Sequence, residues 1–233
     1  MDPLELPLSV VLALWAPLPS SRGPALVQGP DGAHEVRQDP RAQGPGLQEW
    51  LDSVRPLRRV AAVLAPSTDG VLAQGRAAQA GQAVVLEGAA GAHLLVPQGT
   101  GTNVIWHLEP LARPVPSFDA GQARREVHAA TEAAIDSLIE LDLARERPDL
   151  ADILNDLVTA VLDPRLVPPS LEPRRIQLLE RSLRLAGICR LALSDDGAAA
   201  TAVQAQHRAE VLRPLLGVAL RGAGAATDWW SLA

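Results

Sequence analysis

The rhythm of apolar and polar residues changes near residue 118. Before it, apolar residues come in short runs, "RVAAVLA", "QAVVLE", "AHLLVP" and "NVIWHLE", separated by Gly and Pro. Runs of that length between turn residues predict buried strands. "GAAG" at 88–91 predicts a hairpin connection, and "QGTGTN" at 98–103 a turn between strands. "ALVQGPDGAHEV" predicts a further hairpin that turns at Pro30, Asp31 and Gly32. In "GLQEWLDSV", Leu47, Trp50, Leu51 and Val54 fall at helical spacing, so one helix covers the sheet. The run Leu8–Trp15 fits a strand or a helix.

After residue 118 the spacing is helical. Asp119 and Gln122 form a capping-box pattern, which starts a helix running to about Glu146 with Val127, Ala130, Thr131, Ala134 and Leu138 inward. Pro148 opens a second helix, whose apolar face holds Leu150, Ile153, Leu154, Leu157, Val158, Val161 and Leu162. Ser170 is the expected N-cap of a third helix through Leu193. A fourth runs from about Ala198 to Arg221, bent at Pro214. Residues 1–118 hold 14 of the 20 prolines and 12 of the 18 glycines, which sets a turn-rich first half against a helical second. "LARPVPSFD", with Pro114 and Pro116, reads as an extended linker. The expected fold is α+β, with a sheet-rich part over 1–116 and a helical part over 117–233. The first part is a mostly antiparallel sheet with a covering helix. The second is an antiparallel bundle or cap of about four helices.

Composition narrows the chemistry. The net charge of −6 speaks against general nucleic-acid binding. All 21 basic residues are Arg, Tyr is absent, and Asn occurs only at Asn103 and Asn155; these are the marks of GC-rich codons. The single Cys189 removes disulfide frameworks and four-Cys zinc sites, and its apolar surroundings predict a core residue. The N-terminal apolar run follows Asp2 and Glu5 with no basic residue and is too short for a bilayer, so a cytoplasmic setting without membrane contact is expected.

The best chemical constellation is "REVHAATEAAIDSLIELD". His128, Glu132, Asp136 and Glu140 recur every fourth residue and make one stripe on a helix. That stripe lies opposite the apolar positions, and no Glu-x-x-His occurs, so solvated surface is expected in place of a metal ladder of His128, Glu132 and Asp136. His107 and Glu109 share a sheet face by alternation and form a minimal acid–base pair, the catalytic candidates. Arg174, Gln177, Arg181 and Arg184 line one side of the third helix, with Glu180 paired to Arg184 as on ordinary exposed helices. Walker, dinucleotide and Gly-x-Ser-x-Gly patterns are absent, and no cofactor is expected. The C-terminal "DWWSLA" places Trp229 and Trp230 together after a Gly/Ala stretch. They are interaction candidates, and burial of at least one indole is expected.

The segments "LPLSVVLALW", "AGQAVVLEG", "VIWHLEP", "ATEAAIDSLIELDLARERPDLADIL" and "LALSDDGAAATA…LRPL" resemble, in order and composition, a family of uncharacterised actinobacterial proteins. The resemblance implies no activity. A non-enzymatic protein-interaction or scaffold protein follows as the expectation, with self-association or another protein as partner. The alternative is an enzyme or small-ligand binder with its site near His107 and Glu109, between the sheet and the helices.

Overall fold

The computed structural model, which describes residues 4–39, 41–64, 75–89, 91–111, 114–140, 148–194 and 202–231, has an α+β fold. For residues 138–140, 148–151 and 202–204 it describes the backbone alone. The four apolar runs form β2 (Arg59–Leu64), β3 (Gln82–Gly88), β4 (Gly91–Thr100) and β5 (Asn103–Pro110). With β1 (His34–Arg37) and β6 (Trp229–Trp230) they make a six-stranded sheet among the described residues, in the order β1-β5-β4-β3-β2-β6. Every pairing is antiparallel except β1 with β5. Gly88 pairs with Gly91 at the expected β3–β4 hairpin. Thr100 pairs with Asn103 across Gly101, whose φ of 63° is the left-handed conformation that a two-residue hairpin turn needs.

Alternation sorts the strand residues to two faces. On one, Val63, Ala83, Val85, Leu94 and Val96 cluster with Val115 and with Ala77 of α4 (Gly75–Ala80). α1 (Leu8–Trp15) packs against β2, β3 and β4 and is buried from Ser9 to Trp15, so the ambiguous run is a helix. A helix buried all round carries no amphipathic period, which is why spacing alone left it open. α3 (Leu47–Ser53) buries Leu47, Trp50 and Leu51, as its spacing predicts.

Two expectations in this part are corrected. The first arm of "ALVQGPDGAHEV" is helix α2 (Arg22–Gln28), with Pro24 in the first turn and Gly29 at the C-cap, and β1 pairs with distant β5. The segment at Pro114 and Pro116 is packed and does not behave as a free linker. Val115 is buried, and the carbonyls of Val115 and Pro116 accept hydrogen bonds from Arg59.

The described residues divide into two units. The sheet unit comprises Leu6–Phe118, Pro164–Leu171 and Thr227–Ala233; the helical unit comprises Met1–Glu5, Asp119–Asp163 and Glu172–Ala226. In the helical unit α5 (Ala120–Glu140) starts where the capping pattern places it. Asp119 Oδ1 accepts the N–H groups of Gly121 (2.7 Å) and Gln122 (3.0 Å). These bonds hold its carboxyl below the usual carboxylate range. The reciprocal half of the box does not form, because the Gln122 amide donates to Glu126 Oε1 at 2.7 Å. α6 spans Pro148–Thr159. α7 (Pro173–Ser194) begins with Pro173 in its first turn, not after Ser170, and the Glu172 carbonyl accepts from Arg175 and Ile176.

α8 (Ala202–Thr227) continues past the expected end at Arg221, through the Gly/Ala stretch. Ala223, Ala225 and Ala226 are buried, and a Cβ on Gly222 would lie 2.5 Å from both Ser182 Oγ and Val127 Cγ2. Small residues there let three helices approach closely, a need that amphipathic spacing does not encode.

Candidate interaction surface

Apolar residues of α5 and α6 cannot all be covered by one neighbour. Val127, Ala130 and Ala134 of α5 are buried. On α6 the expected apolar face is only partly covered: Leu154 and Leu157 are half-buried and Leu162 is buried. Ile153 is 47 % exposed, Val158 58 % and Val161 43 %, and on α5 Ile135 is 53 % exposed. The side chains of Leu138 and Leu150 lie outside the described residues.

Contacts with α7 explain this. A Cβ on Gly187 would meet Leu157 at 3.0 Å, the Ala160 carbonyl accepts from Arg184 Nε (2.7 Å), and the Leu162 N–H donates to Glu180 Oε1 (3.3 Å). α6 therefore runs antiparallel to α7. Gly222 lies against Val127 and Ser182, which sets residue 127 of α5 level with residue 182 of α7. Among the described residues α5 and α6 each pack on α7, which leaves a groove between them with α7 as its floor. The groove has a cavity volume of about 280 Å³, at the small end for an enclosed ligand site. Ala134, Ile135, Val158, Leu185 and Ile188 make it apolar.

Charge along the groove is graded. His128, Arg181 and Arg184 line it, and the shared level of residues 127 and 182 puts them at one end, with Ile135 and Ile188 towards the other. Arg184 is committed to Ala160 and, at 3.6 Å, to Glu180. Arg181 is exposed and has no hydrogen-bond or ion-pair partner among the described residues.

The stripe is on the exposed face of α5. His128 and Glu132 side chains are both 68 % exposed, with His128 Nε2 3.7 Å from Glu132 Oε1, and Asp136 is exposed. The Glu140 side chain lies outside the described residues. The catalytic candidates are taken up by neighbours. His107 is buried with its Nε2 2.8 Å from Gln98 Oε1, and Glu109 pairs with Arg76 at 3.5 Å. Burial and the charge of Arg76 push the His107 pKa below its ordinary value, partly opposed by Glu109. Beside them, Arg76, Gln79, Gln82 and Gln98 line a polar cavity of about 330 Å³.

At the C-terminus neither indole is fully buried. Trp229 is half-buried and Trp230 is 49 % exposed, while Thr227 and Asp228 are the buried anchors. Indole size signalled burial, but the pairing of Trp229 with Val60 and Trp230 with Arg59 holds both on a sheet edge. The sequence places Val158 on an apolar helix face but does not mark it as a contact residue, and it marks neither Ile135 nor Ile188. The available signal was an α6 apolar arc too wide for a single neighbour.

Residues 121–223, which contain the whole groove, match the family model "Rv1486c-like protein, C-terminal domain". No curated protein and no solved structure matches the chain. No helix among the described residues is long and apolar enough to cross a membrane.

Proposed function

We propose that this is a non-enzymatic protein-interaction or scaffold protein, working in the cytoplasm of an actinobacterium, that presents the α5–α6–α7 groove to a protein partner. The observation that carries the reading is the pair Ile135 and Val158, more than half exposed on facing walls of an apolar groove. Single exposed apolar residues are common, but several around one concavity mark a contact surface. The net charge of −6 supports a protein partner over nucleic acid. Catalysis at His107 and Glu109 has less support, since Gln98 and Arg76 already engage both groups.

A photo-crosslinking amino acid at Val158 tests the reading in the native cell, with Gln206 on the exposed side of α8 as control. The expected result is a discrete protein adduct from position 158 alone. Equal labelling at both positions, or no adduct at 158, refutes it.

A further inference from the structure

The polar cavity of the sheet unit is lined by residues whose hydrogen-bond donors lack acceptors among the described residues. Arg76 and Gln79 of α4, Gln82 of β3 and Gln98 of β4 line it, with Ala80, Val96 and Pro97 as its apolar part. Its volume of about 330 Å³ falls within the range of small-ligand sites. Two of its amides have fixed orientations. Gln82 Oε1 accepts the Ser9 N–H of α1 at 3.0 Å, and Gln98 Oε1 accepts from His107 Nε2 at 2.8 Å. With each oxygen engaged, what each amide has left is its amino group, which can only donate. Neither Nε2 has a partner among the described residues.

Arg76 adds charge to these donors. Its side chain is 45 % exposed and meets Glu109 through one long ion pair, Nη1 to Oε1 at 3.5 Å. It donates no hydrogen bond among the described residues, so most of its N–H groups stay open to a ligand. No described lining residue is acidic, and Glu109 is not among them. Walls that carry a guanidinium and two donating amides, with no carboxylate, complement an oxyanion. A bare inorganic ion would leave the Ala80, Val96 and Pro97 part uncovered, so the oxyanion that fits carries a carbon body.

We propose that this cavity binds a small organic carboxylate. Arg76 faces its charge, the amino groups of Gln82 and Gln98 donate to its oxygens, and Ala80, Val96 and Pro97 cover its carbon atoms. The site shares no lining residue with the α5–α6–α7 groove and does not depend on the interaction reading.

Titration of the isotopically labelled full chain with propionate, succinate and benzoate, followed by NMR, tests it. The neutral propionamide, succinamide and benzamide are the controls. The expected result is saturable movement of the Gln82 and Gln98 side-chain amide resonances with at least one acid and not with its amide. The amide of Gln206, on the exposed side of α8, should stay still. Arg76→Gln is expected to weaken that binding about tenfold or more, as loss of a charge-assisted hydrogen bond does. Arg124→Gln, exposed on α5, should leave it unchanged. Both substituted positions are exposed, and circular dichroism verifies that each variant folds. No saturable movement with any of the three acids overturns the inference. So does an amide that binds as tightly as its acid, or a folded Arg76→Gln variant that binds as the wild type does.

Discussion

Arg59 and Asp228, 169 residues apart in sequence, meet through two parallel hydrogen bonds, Nε to Oδ1 at 2.9 Å and Nη2 to Oδ2 at 3.0 Å. Both side chains are 1 % exposed. Nη1 and Nη2 also donate to the carbonyls of Val115 and Pro116, Nη1 lies 3.6 Å from Glu87 Oε1, and the Phe118 N–H donates to Asp228 Oδ2 at 2.8 Å. The Trp230 ring lies over the guanidinium with its centroid 4.7 Å away. One ion pair therefore joins β2, the 115–118 segment and the C-terminal residues. Thr227 Oγ1 accepts the Ala62 N–H (2.9 Å) and the Ser231 N–H reaches the Arg58 carbonyl (2.9 Å), so the same segment covers the outer edge of β2.

Asp228→Asn is expected to destabilise the sheet unit by about 3 kcal/mol, because it leaves the buried Arg59 charge with only the more distant, partly exposed Glu87 carboxylate, 3.6 Å from Nη1, as counterion. Arg59→Met/Asp228→Leu is expected to cost less than the sum of its single changes. Urea unfolding followed by Trp fluorescence measures both. Strict additivity in that cycle sinks the account.

Gly222→Ala is expected to destabilise the helical unit by about 1–3 kcal/mol through overpacking against Val127 and Ser182. Removing the Val127 methyl groups in Gly222→Ala/Val127→Ala relieves part of the clash. Thermal melting should rank the double variant above what the two separate losses predict.

His107 titrates below its ordinary 6.5 because burial and Arg76 disfavour the imidazolium. A depressed folded pKa means the unfolded chain binds the proton more tightly. Its contribution is therefore present above pH 6.5 and lost as pH falls through the folded value. Melting temperatures between neutral pH and pH 5 should decline less steeply in His107→Gln than in the wild type. Parallel profiles for the two proteins contradict this. The carboxyls of Glu35 and Asp119, also held below their usual range, lose their contributions at lower pH.

Burial raises the Cys189 thiol to about 11, so thiolate is scarce at neutral pH. Native protein should react with a thiol reagent orders of magnitude more slowly than denatured protein at pH 7.5. Rapid native labelling at Cys189 marks an error in its placement within α7.

With His128, Glu132 and Asp136 on the exposed face of α5, elemental analysis of purified protein is expected to show no stoichiometric transition metal. Glu132→Ala and Asp136→Ala should each change monomer stability by no more than about 0.5 kcal/mol, as surface changes do. Iron, zinc or manganese that is bound by the wild type and lost in the double variant contradicts this placement.

By itself the sequence determined the parts governed by neighbours along the chain. β2 to β5 and the hairpin turns at Gly88–Gly91 and Gly101 follow from short apolar runs between glycines, and α5 to α8 from spacing, with Asp119 and Pro148 marking the starts of α5 and α6. Tertiary structure decided what depends on distant contacts. It made Leu8–Trp15 a helix by burying it on the sheet, and kept "RGAGAAT" helical because Ser182 and Val127 leave room only for Gly222. It also drew Val115 and Asp228 onto Arg59. The groove belongs to the same class. Spacing shows that α6 is amphipathic, but only the packing of α5 and α6 on α7 leaves Ile135 and Val158 uncovered. Periodicity reports which side of an element is apolar; how much of that side a neighbour covers is set by geometry between elements far apart in the chain.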